Sequence, residues 1–284
     1  MTKEKIIGID LGGTNIRAGL LYGHLLQTTV SCRTNGTGSE VEVLHDLYRL
    51  IDEIFQSDIA AIGIGVPSVV DIEKGIVYDV QYIPSWKEVH LKTLLQQRYN
   101  LPVFVNNDAN CFALGEYYFG KGKEHPQMIG LTIGTGLGSG IILNGKLYAG
   151  ANCGAGEFGM LEYRGQVLEF YASGQFFQNV YGVEGQTVFE KAKEGDAASL
   201  KMYEELGLHL GNAVKMILYT YDIPFIVLGG SVRHAWPFFH KTMLEQIETF
   251  AYKQSIKNLR IEISDLENSG ILGAAGLYYN EVSK

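Results

Sequence analysis

The sequence predicts an α/β protein, and three observations lead to this class. Apolar runs of strand length alternate with segments of helical periodicity, an order typical of α/β folds. The length of 284 residues suits about two domains of roughly 150 residues each. A unit of strand, Gly/Thr turn and strand occurs twice, at Lys5–Tyr22 and at Met128–Leu143, which indicates a weak internal duplication.

The first half is predicted to contain five strands and three helices. The strands are Lys5–Asp10, Ile16–Tyr22, Leu25–Arg33, Ile59–Val66 and Leu101–Val105; the helices are Ser39–Phe55, Leu91–Tyr99 and a third from Asn107 or Asp108 to about Tyr118. In the first helix, six apolar residues recur at helical spacing after Ser39, a residue type preferred as an N-cap.

A polar segment, Lys121–Gln127, is the candidate junction between two domains. Beyond it the predicted strands are Met128–Ile133, Gly138–Leu143, Phe225–Leu228 and Leu259–Ile263, and the predicted helices are 197–221, 237–253 and 270–280. We therefore expect an N-terminal lobe of residues 1–120, completed by a C-terminal helix at 270–284, and a second lobe of residues 121–269.

Composition excludes several classes of protein. The chain has 31 acidic and 23 basic residues, a net charge of -8, and no basic run, so a nucleic-acid partner is not expected. Its three cysteines, Cys32, Cys111 and Cys153, are spaced too widely to predict a disulfide framework or a CxxC metal pair. The longest apolar stretch is too short to span a bilayer and the N-terminus lacks a signal-peptide core. We expect a cytoplasmic protein without a membrane partner.

Two Gly/Thr turns are candidate phosphate sites. The first joins the strands of the N-terminal hairpin and includes Asp10, Gly12, Gly13, Thr14, Asn15 and Arg17; the second is Gly134, Thr135 and Gly136. Glycines let backbone N–H groups point at a phosphate, and a carboxylate at a strand end suits Mg²⁺ held through water. One turn alone is also explained by a plain Gly-Gly hairpin. The pair predicts that one polyphosphate is held from two sides.

Asn107 and Asp108 follow a buried strand. A carboxylate at this place is a candidate general base, because it can accept the proton of a hydroxyl that attacks phosphorus. Helix capping, for which Asn and Asp are preferred, explains the same residues, and both interpretations can hold together.

Two further segments carry weaker signals. Glu157 and Glu169 lie near glycines, as acidic residues in loops commonly do. Gly229 and Gly230 end a predicted strand, where a turn of small residues can accept the adenine or ribose of a nucleotide but is equally typical of an ordinary βα loop.

Taken together, these motifs resemble the ROK family of sugar kinases in the actin-like ATPase superfamily, and the resemblance covers essentially the whole chain. It rests on IDLGGTNIR, NNDAN, LTIGTGLGSGIILNGKLYAG and LEFYASG, in this order. It implies a two-lobed actin-like, RNase H-like α/β fold with a central cleft that binds ATP and Mg²⁺. No N-terminal extension for the helix-turn-helix of the family's repressors is present in the sequence, so a kinase is expected rather than a repressor.

The resemblance also implies roles for individual residues. Asp108 matches the general base that activates the 6-hydroxyl of a hexose, while Asn107, Glu157 and Glu169 match sugar ligands. The two Gly/Thr turns match the phosphate loops. Ser68, a further candidate substrate-binding residue, stands where a glycine is usual in the GVPG segment of the family. The family further implies a homodimer or homotetramer.

The sequence departs from the family at its zinc site. The usual GEIGH motif reads Gly156-Glu157-Phe158-Gly159-Met160, and no cysteine occurs between Met160 and Glu169. We therefore expect no zinc, and a loop held by packing of Phe158, Met160, Leu161 and Tyr163. The missing histidine removes one sugar contact, which leaves the identity of the sugar open.

Several functions remain compatible with the sequence. An ATP:hexose 6-phosphotransferase with a glucose-like substrate is the leading hypothesis. Alternatives are an N-acetylmannosamine, N-acetylglucosamine or β-glucoside kinase, a non-catalytic sugar sensor, and an actin-like ATPase that acts without a sugar acceptor.

Overall fold

The computed structural model describes residues 4–282. Its strands are β1 (Lys5–Leu11), β2 (Asn15–Tyr22), β3 (Leu25–Arg33), β4 (Ile59–Val66), β5 (Val69–Asp71), β6 (Ile76–Tyr78), β7 (Glu88–Val89), β8 (Val103–Asn107), β9 (Met128–Ile133), β10 (Leu137–Leu143), β11 (Lys146–Leu147), β12 (Glu162–Tyr163), β13 (Gln166–Val167), β14 (Phe225–Gly229) and β15 (Arg260–Ile263).

Helices account for much of the rest. They are α1 (Glu40–Ile54), α2 (Leu91–Tyr99), α3 (Asp108–Tyr118), α4 (Leu168–Tyr171), α5 (Phe176–Tyr181), α6 (Gly185–Lys193), α7 (Ala197–Tyr221), α8 (Trp236–Ile247), α9 (Lys253–Asn258) and α10 (Ser269–Val282), with 3-10 turns at Phe158–Met160 and Ser231–Ala235. Within residues 4–282, none of these helices combines the length and the apolar character needed to cross a membrane.

The chain divides into two compact units. Unit 1 contains the described residues up to Pro126, the segment Gly140–Ala155 and the described residues from Asp265 onward. Unit 2 contains Gln127–Ser139 and Gly156–Ser264. The division into lobes at 1–120 with 270–284 and at 121–269 stays a prediction.

Unit 1 is built on a five-stranded sheet in the order β3-β2-β1-β4-β8. Strands β1 and β2 form the predicted antiparallel hairpin, and β4 and β8 add to it in parallel. Helix α1 buries all six of the apolar residues singled out by periodicity: Val43, Leu44, Leu47, Leu50, Ile51 and Ile54. Ser39 is its N-cap in a reciprocal capping box with Glu42, which confirms the predicted start of the helix.

Unit 2 contains the strand order β10-β9-β14-β15, in which β14 is parallel to both β9 and β15. Strand β10 begins in unit 2 and continues into unit 1, where its last residues pair with β11. The order β11-β10-β9-β14-β15 repeats the order of the first sheet. The α/β class is confirmed, and the topology gives a structural basis for the internal duplication seen in the sequence.

One predicted helix is wrong in its extent. The segment 237–253 does not form a single helix, because α8 ends at Ile247 and α9 begins at Lys253. Phe250 lies in the connection and is buried, in contact with the rings of Tyr219 and Tyr252. Burial of this ring in the connection favours a turn there over continued helix. Helices α4 to α6 and the small sheet of β5, β6 and β7 were not predicted, since most of these elements are too short to show a period.

Candidate functional site

In unit 1, the carboxyl ends of three parallel strands bring the candidate residues to one edge of the sheet. Asp10 on β1 is in register with Gly65 on β4, and Gly65 is in register with Asn106 on β8. Open α/β sheets bind ligands at this edge. The structure therefore brings Asp10 together with the segment 106–108, which are far apart in sequence.

The turn at Gly12–Thr14 is held by hydrogen bonds from Thr34. The Thr34 hydroxyl donates to the Gly12 carbonyl at 2.7 Å, and the Thr34 N–H donates to the Thr14 carbonyl at 2.9 Å. A Cβ on Gly13 would lie 2.6 Å from the ring of Tyr82, so no larger residue fits there without movement. The side chains of Thr14, Asn15 and Arg17 are exposed and open to a ligand.

Asp10 is a desolvated carboxyl group. Burial raises its pKa, and the positive charge of Arg17 opposes this rise. A Cβ on Gly270, in the first turn of α10, would lie 2.7 Å from the Asp10 carboxyl carbon, so the helix approaches the carboxyl closely. A cation beside Asp10 would favour its charged form. An oxygen donor of this kind suits Mg²⁺, which binds through one or two carboxylates and several waters.

Asn107 is the N-cap of α3. Its side-chain oxygen accepts from the N–H groups of Ala109 at 2.8 Å and Asn110 at 3.3 Å, and its amide nitrogen donates to the Ser68 carbonyl at 3.4 Å. The Ser68 hydroxyl itself donates to backbone carbonyls of Val69 and Tyr78. Capping therefore occupies the oxygen of Asn107, and the Ser68 side chain is held by its own loop.

Asp108 occupies the first position of α3 and is exposed. One of its oxygens accepts the N–H of Ala109 at 2.9 Å. An acidic residue in the first turn is also stabilised by the helix dipole. The carboxylate is thus fixed at the sheet edge and open to solvent, as a group that takes a proton from a bound hydroxyl must be.

A buried polar network lies under this helix start and was not predicted from the sequence. The side-chain oxygen of Asn106 accepts from Asn107 N–H at 2.8 Å, from the Asn110 amide at 2.9 Å and from the Cys153 thiol at 3.1 Å. Cys153 adopts a left-handed conformation with φ 59°. These contacts fix the junction between β8 and α3, and no sequence signal distinguishes them from ordinary core polar groups.

In unit 2, Glu157 and Glu169 are close enough to interact electrostatically. Partial burial raises the pKa of Glu157, and the charge of Glu169 raises it further. One oxygen of Glu169 accepts the N–H of Leu137 at 3.2 Å, and a Cβ on Gly136 would lie 2.7 Å from the same oxygen. The glycine at 136 therefore makes room for the carboxylate that is bound to the turn.

A pocket of about 860 Å³ opens in unit 2 beside the second Gly/Thr turn. Its lining consists of Gly134, Thr135, Gly174, Gln175, Phe177, Gln178, Glu184, Gly185, Gln186, Phe189, Tyr203, Ser231, Val232, His234 and Ala235. Aromatic walls with a few polar groups suit a flat, partly apolar ligand. Sequence reasoning found the two turn residues but missed the part that α5 and α6 contribute.

Gly230 has a packing role. Its φ is 78°, and a Cβ there would lie 2.3 Å from the carbonyl oxygen of Ile133. Gly229 is the last residue of β14 and is buried. Whether either residue touches a nucleotide stays a prediction, while Ser231, the next residue, lines the pocket.

The segment that follows Glu157 is held differently from the expectation. Phe158 is buried and its ring meets that of Tyr221 at 6.0 Å. Met160 and Leu161, which were expected to pack, are 57% and 44% exposed; they lie at the end and at the C-cap of the 3-10 turn, whose buried residues are Phe158 and Gly159. Tyr163 is held by hydrogen bonds to α7. Among residues 4–282, no three His, Cys, Asp or Glu side chains group together as a metal site would require.

Comparison with known proteins gives one consistent family. The family model described as ROK family matches residues 6–281. The chain is 29% identical to a glucokinase of Thermotoga maritima, over 98% of both chains, and 29% identical to a xylose repressor of Bacillus subtilis, over 95% of this chain and 76% of the repressor.

Solved structures agree with the sequence comparison. A ROK family glucokinase of Streptomyces griseus, solved in complex with glucose and AMPPNP, superimposes with a TM-score of 0.79 at 26% identity, over 96% of this chain and 98% of that one. This likeness confirms the actin-like fold class that the motifs predicted.

Proposed function

The chain belongs to the ROK family, and from this premise we propose that it is a kinase that transfers the γ-phosphoryl group of ATP to the 6-hydroxyl of a hexose. The likeness to glucokinases along nearly the whole chain supports a sugar as acceptor. A glucose-like hexose is the substrate we propose first.

The observation that carries the proposal is the placement of Asp108. Its carboxylate is exposed at the carboxyl edge of the unit 1 sheet, fixed by the start of α3, at the same edge as Asp10. Phosphoryl transfer to a hydroxyl needs a proton acceptor, and the Asp108 carboxylate is placed to be one.

In the proposed reaction, the sugar hydroxyl donates its proton to Asp108 as its oxygen attacks the γ-phosphorus in line with the leaving ADP oxygen. Asn107, Glu157 and Glu169 orient the sugar by hydrogen bonds to its other hydroxyls, and the backbone at Ser68 supports Asn107. Because the pKa of Glu157 is raised, this carboxyl holds its proton more readily than an ordinary glutamate does.

The nucleotide is assigned to the unit 2 pocket and the two Gly/Thr turns. Aromatic side chains of the pocket, such as Phe189, provide a surface for adenine, while Gly134 and Thr135 offer donors to phosphate. Asp10 would hold Mg²⁺ through water. When bound, the ion neutralises charge on the phosphates.

Other sugars remain as alternative substrates within the same mechanism. Met160 stands where the family commonly has a sugar-contacting histidine, and its side chain is exposed. This change removes one sugar contact, and the missing zinc loop shifts weight from glucose and the N-acetylated amino sugars, N-acetylmannosamine and N-acetylglucosamine, towards β-glucosides.

A non-catalytic sugar sensor is the second candidate function. It is favoured by the same replacement at Met160 and by the similarity to a xylose repressor over 95% of the chain. The presence of Asp108 argues against it.

Coupled ADP release with Mg-ATP tests the proposal. The panel is glucose, mannose, fructose, allose, N-acetylglucosamine, N-acetylmannosamine and cellobiose, each against a blank without sugar. Sugar-dependent ADP formation supports the kinase and names its substrate. Sugar binding by calorimetry without ADP formation would favour the sensor, and an equal rate in the blank would favour an ATPase without acceptor.

A further inference from the structure

We propose that Tyr163, His209 and Asn212 form a hydrogen-bonded clamp that positions Glu157 and Glu169 for sugar binding. The inference rests on the proposed function, in which these two carboxyl groups contact the sugar. It identifies three positioning residues in a part of the chain where the sequence predicted only packing.

The clamp acts on the segment that joins the two glutamates. Glu157 precedes the 3-10 turn Phe158–Met160, and Glu169 lies in α4. Between them, β12 and β13 form a short hairpin that is closed by a hydrogen bond from Leu168 N–H to the Leu161 carbonyl at 2.8 Å. Tyr163 sits in this hairpin, so a restraint on Tyr163 limits the movement of both flanking carboxyl groups.

The hydrogen bonds of the clamp have one consistent direction. The amide of Gln246 donates to the side-chain oxygen of Asn212 at 2.9 Å, and the amide of Asn212 donates to the Tyr163 hydroxyl at 3.0 Å. The Tyr163 proton is then directed to His209 Nδ1, at 3.1 Å. A neutral imidazole that accepts at Nδ1 carries its own proton on Nε2.

His209 is held rigidly within α7. It is 1% exposed, and the rings of Tyr171 and Phe176 lie 5.1 Å and 5.5 Å from it. Its Nε2 makes no hydrogen bond within the described residues, and faces the Glu205 carboxylate at 3.6 Å. Burial and these ring contacts restrict the movement of the imidazole that bonds Tyr163.

The electrostatic surroundings of His209 favour its neutral form. Burial lowers its pKa most, the positive charge of Arg164 lowers it further, and Glu205 opposes both. Glu205 also accepts a hydrogen bond from Tyr181 on α5. A protonated His209 would present a donor at Nδ1, and the Tyr163 hydroxyl would then lose its acceptor.

Helix α7 is the common support of this region. It carries His209 and Asn212, which hold Tyr163, and Tyr221, whose ring meets Phe158 beside Glu157. The segment 161–168 contains neither Cys nor His, so no metal ligand of these types is available within it. Hydrogen bonds to one long helix thus supply the rigidity that the glutamates need.

The experiment compares Tyr163→Phe with a matched control, Tyr171→Phe. Both changes remove one phenolic hydroxyl from the same ring cluster, but only Tyr163 bonds to α7 through it. His209→Asn keeps an acceptor near the place of Nδ1 and His209→Leu removes it. Amide hydrogen exchange of peptides covering 157–169 and the KM values for sugar and ATP are measured for each variant.

We expect Tyr163→Phe and His209→Leu to raise the KM for sugar about fivefold, as loss of one buried hydrogen bond implies. The KM for ATP stays unchanged, and exchange in 157–169 becomes faster. Tyr171→Phe and His209→Asn should behave as the wild type.

Two results are decisive against the clamp. Identical exchange in 157–169 for Tyr163→Phe and Tyr171→Phe would refute it, whatever the kinase assay shows. A rise in both KM values together would show that the effect is not confined to the sugar-binding carboxyl groups and would also overturn it. A wild-type chain that phosphorylates no sugar would instead refute the proposed function, while the exchange experiment still decides whether α7 restrains the hairpin.

Discussion

Replacing Asp108 by Asn separates the two interpretations of this residue. Asp108 lies in the first turn of α3, and one of its oxygens accepts the N–H of Ala109 at 2.9 Å. The amide of Asn retains an oxygen acceptor at the same place, so that hydrogen bond can persist. What the substitution removes is the negative charge and the ability to take a proton.

The two roles predict effects of different size. An exposed acidic residue in the first turn of a helix contributes about 0.3–1 kcal/mol to stability through the helix dipole. A general base contributes about 10²–10⁴-fold to kcat, which corresponds to roughly 3–5 kcal/mol in the activation barrier. If Asp108 is the base, the substitution raises the activation free energy several times more than it lowers the free energy of unfolding.

The assay pairs sugar-dependent ADP release with denaturant unfolding of the same preparations. We expect Asp108→Asn to keep the affinity for sugar, to unfold within about 1 kcal/mol of the wild type, and to lose at least about 10²-fold in kcat. Ser39→Ala is the control, because it removes the cap of α1 without touching the candidate site. Wild-type turnover in Asp108→Asn would refute the assignment and leave only a structural role.

Three further predictions concern the phosphate turn, the nucleotide pocket and pH. Gly13→Ala should raise the KM for ATP, since its Cβ would lie 2.6 Å from the Tyr82 ring, and the added Tyr82→Ala should restore it if this clash is the cause. Phe189→Ala should raise the KM for ATP about tenfold through lost apolar contact, while the KM for sugar stays unchanged. If the wild type and the variant have the same KM for ATP, adenine does not bind against Phe189 in this pocket. The pKa of His209 is lowered in the folded state. The stability gained from its neutral form is therefore present above about pH 6.5, the pKa of an ordinary histidine, and is lost as the pH falls towards the folded pKa. If the midpoint of urea unfolding falls equally between pH 7 and pH 5 in the wild type and in His209→Asn, this prediction is wrong.

The regular part of the fold could be predicted because its signals are local. Strand β3 and helix α7 have the predicted bounds, and α1 shows both a clear apolar period and a capping box. The break at Phe250 could not be read in this way. Phe250 packs on Tyr219, a residue about thirty positions earlier on another helix, and local periodicity carries no information about such a partner.

In the candidate site, too, residues in local motifs could be predicted from the sequence and residues joined by tertiary contacts could not. The sequence alone could predict Asp10, Asn107 and Asp108, because each stands in a short motif whose residue types indicate its chemistry. Parallel pairing of their strands then brings the strand ends to one edge of the sheet. The pocket proposed for the nucleotide contains such a motif only at Gly134 and Thr135, and the rest of its lining has none. Residues such as Gln178 and Phe189 come from the short helices α5 and α6, and only the tertiary structure makes them neighbours of Gly134.

The excess of glycine shows how one composition can have two causes. The sequence contains 35 glycines, and glycine is the default residue for tight turns and for backbone that approaches a ligand closely. Part of the excess is instead explained by α10, which packs directly against backbone in unit 1. A Cβ on Gly63 of β4 would lie 1.9 Å from the Ala274 carbonyl oxygen, and a Cβ on Gly273 would lie 1.7 Å from the Cys111 carbonyl oxygen. Gly270 of α10 approaches the Asp10 carboxyl, and Gly273 approaches the backbone of Cys111 in α3, the helix that begins with Asp108. Gly273→Ala should therefore impair the candidate site by displacing α3, although residue 273 itself contacts the protein core alone.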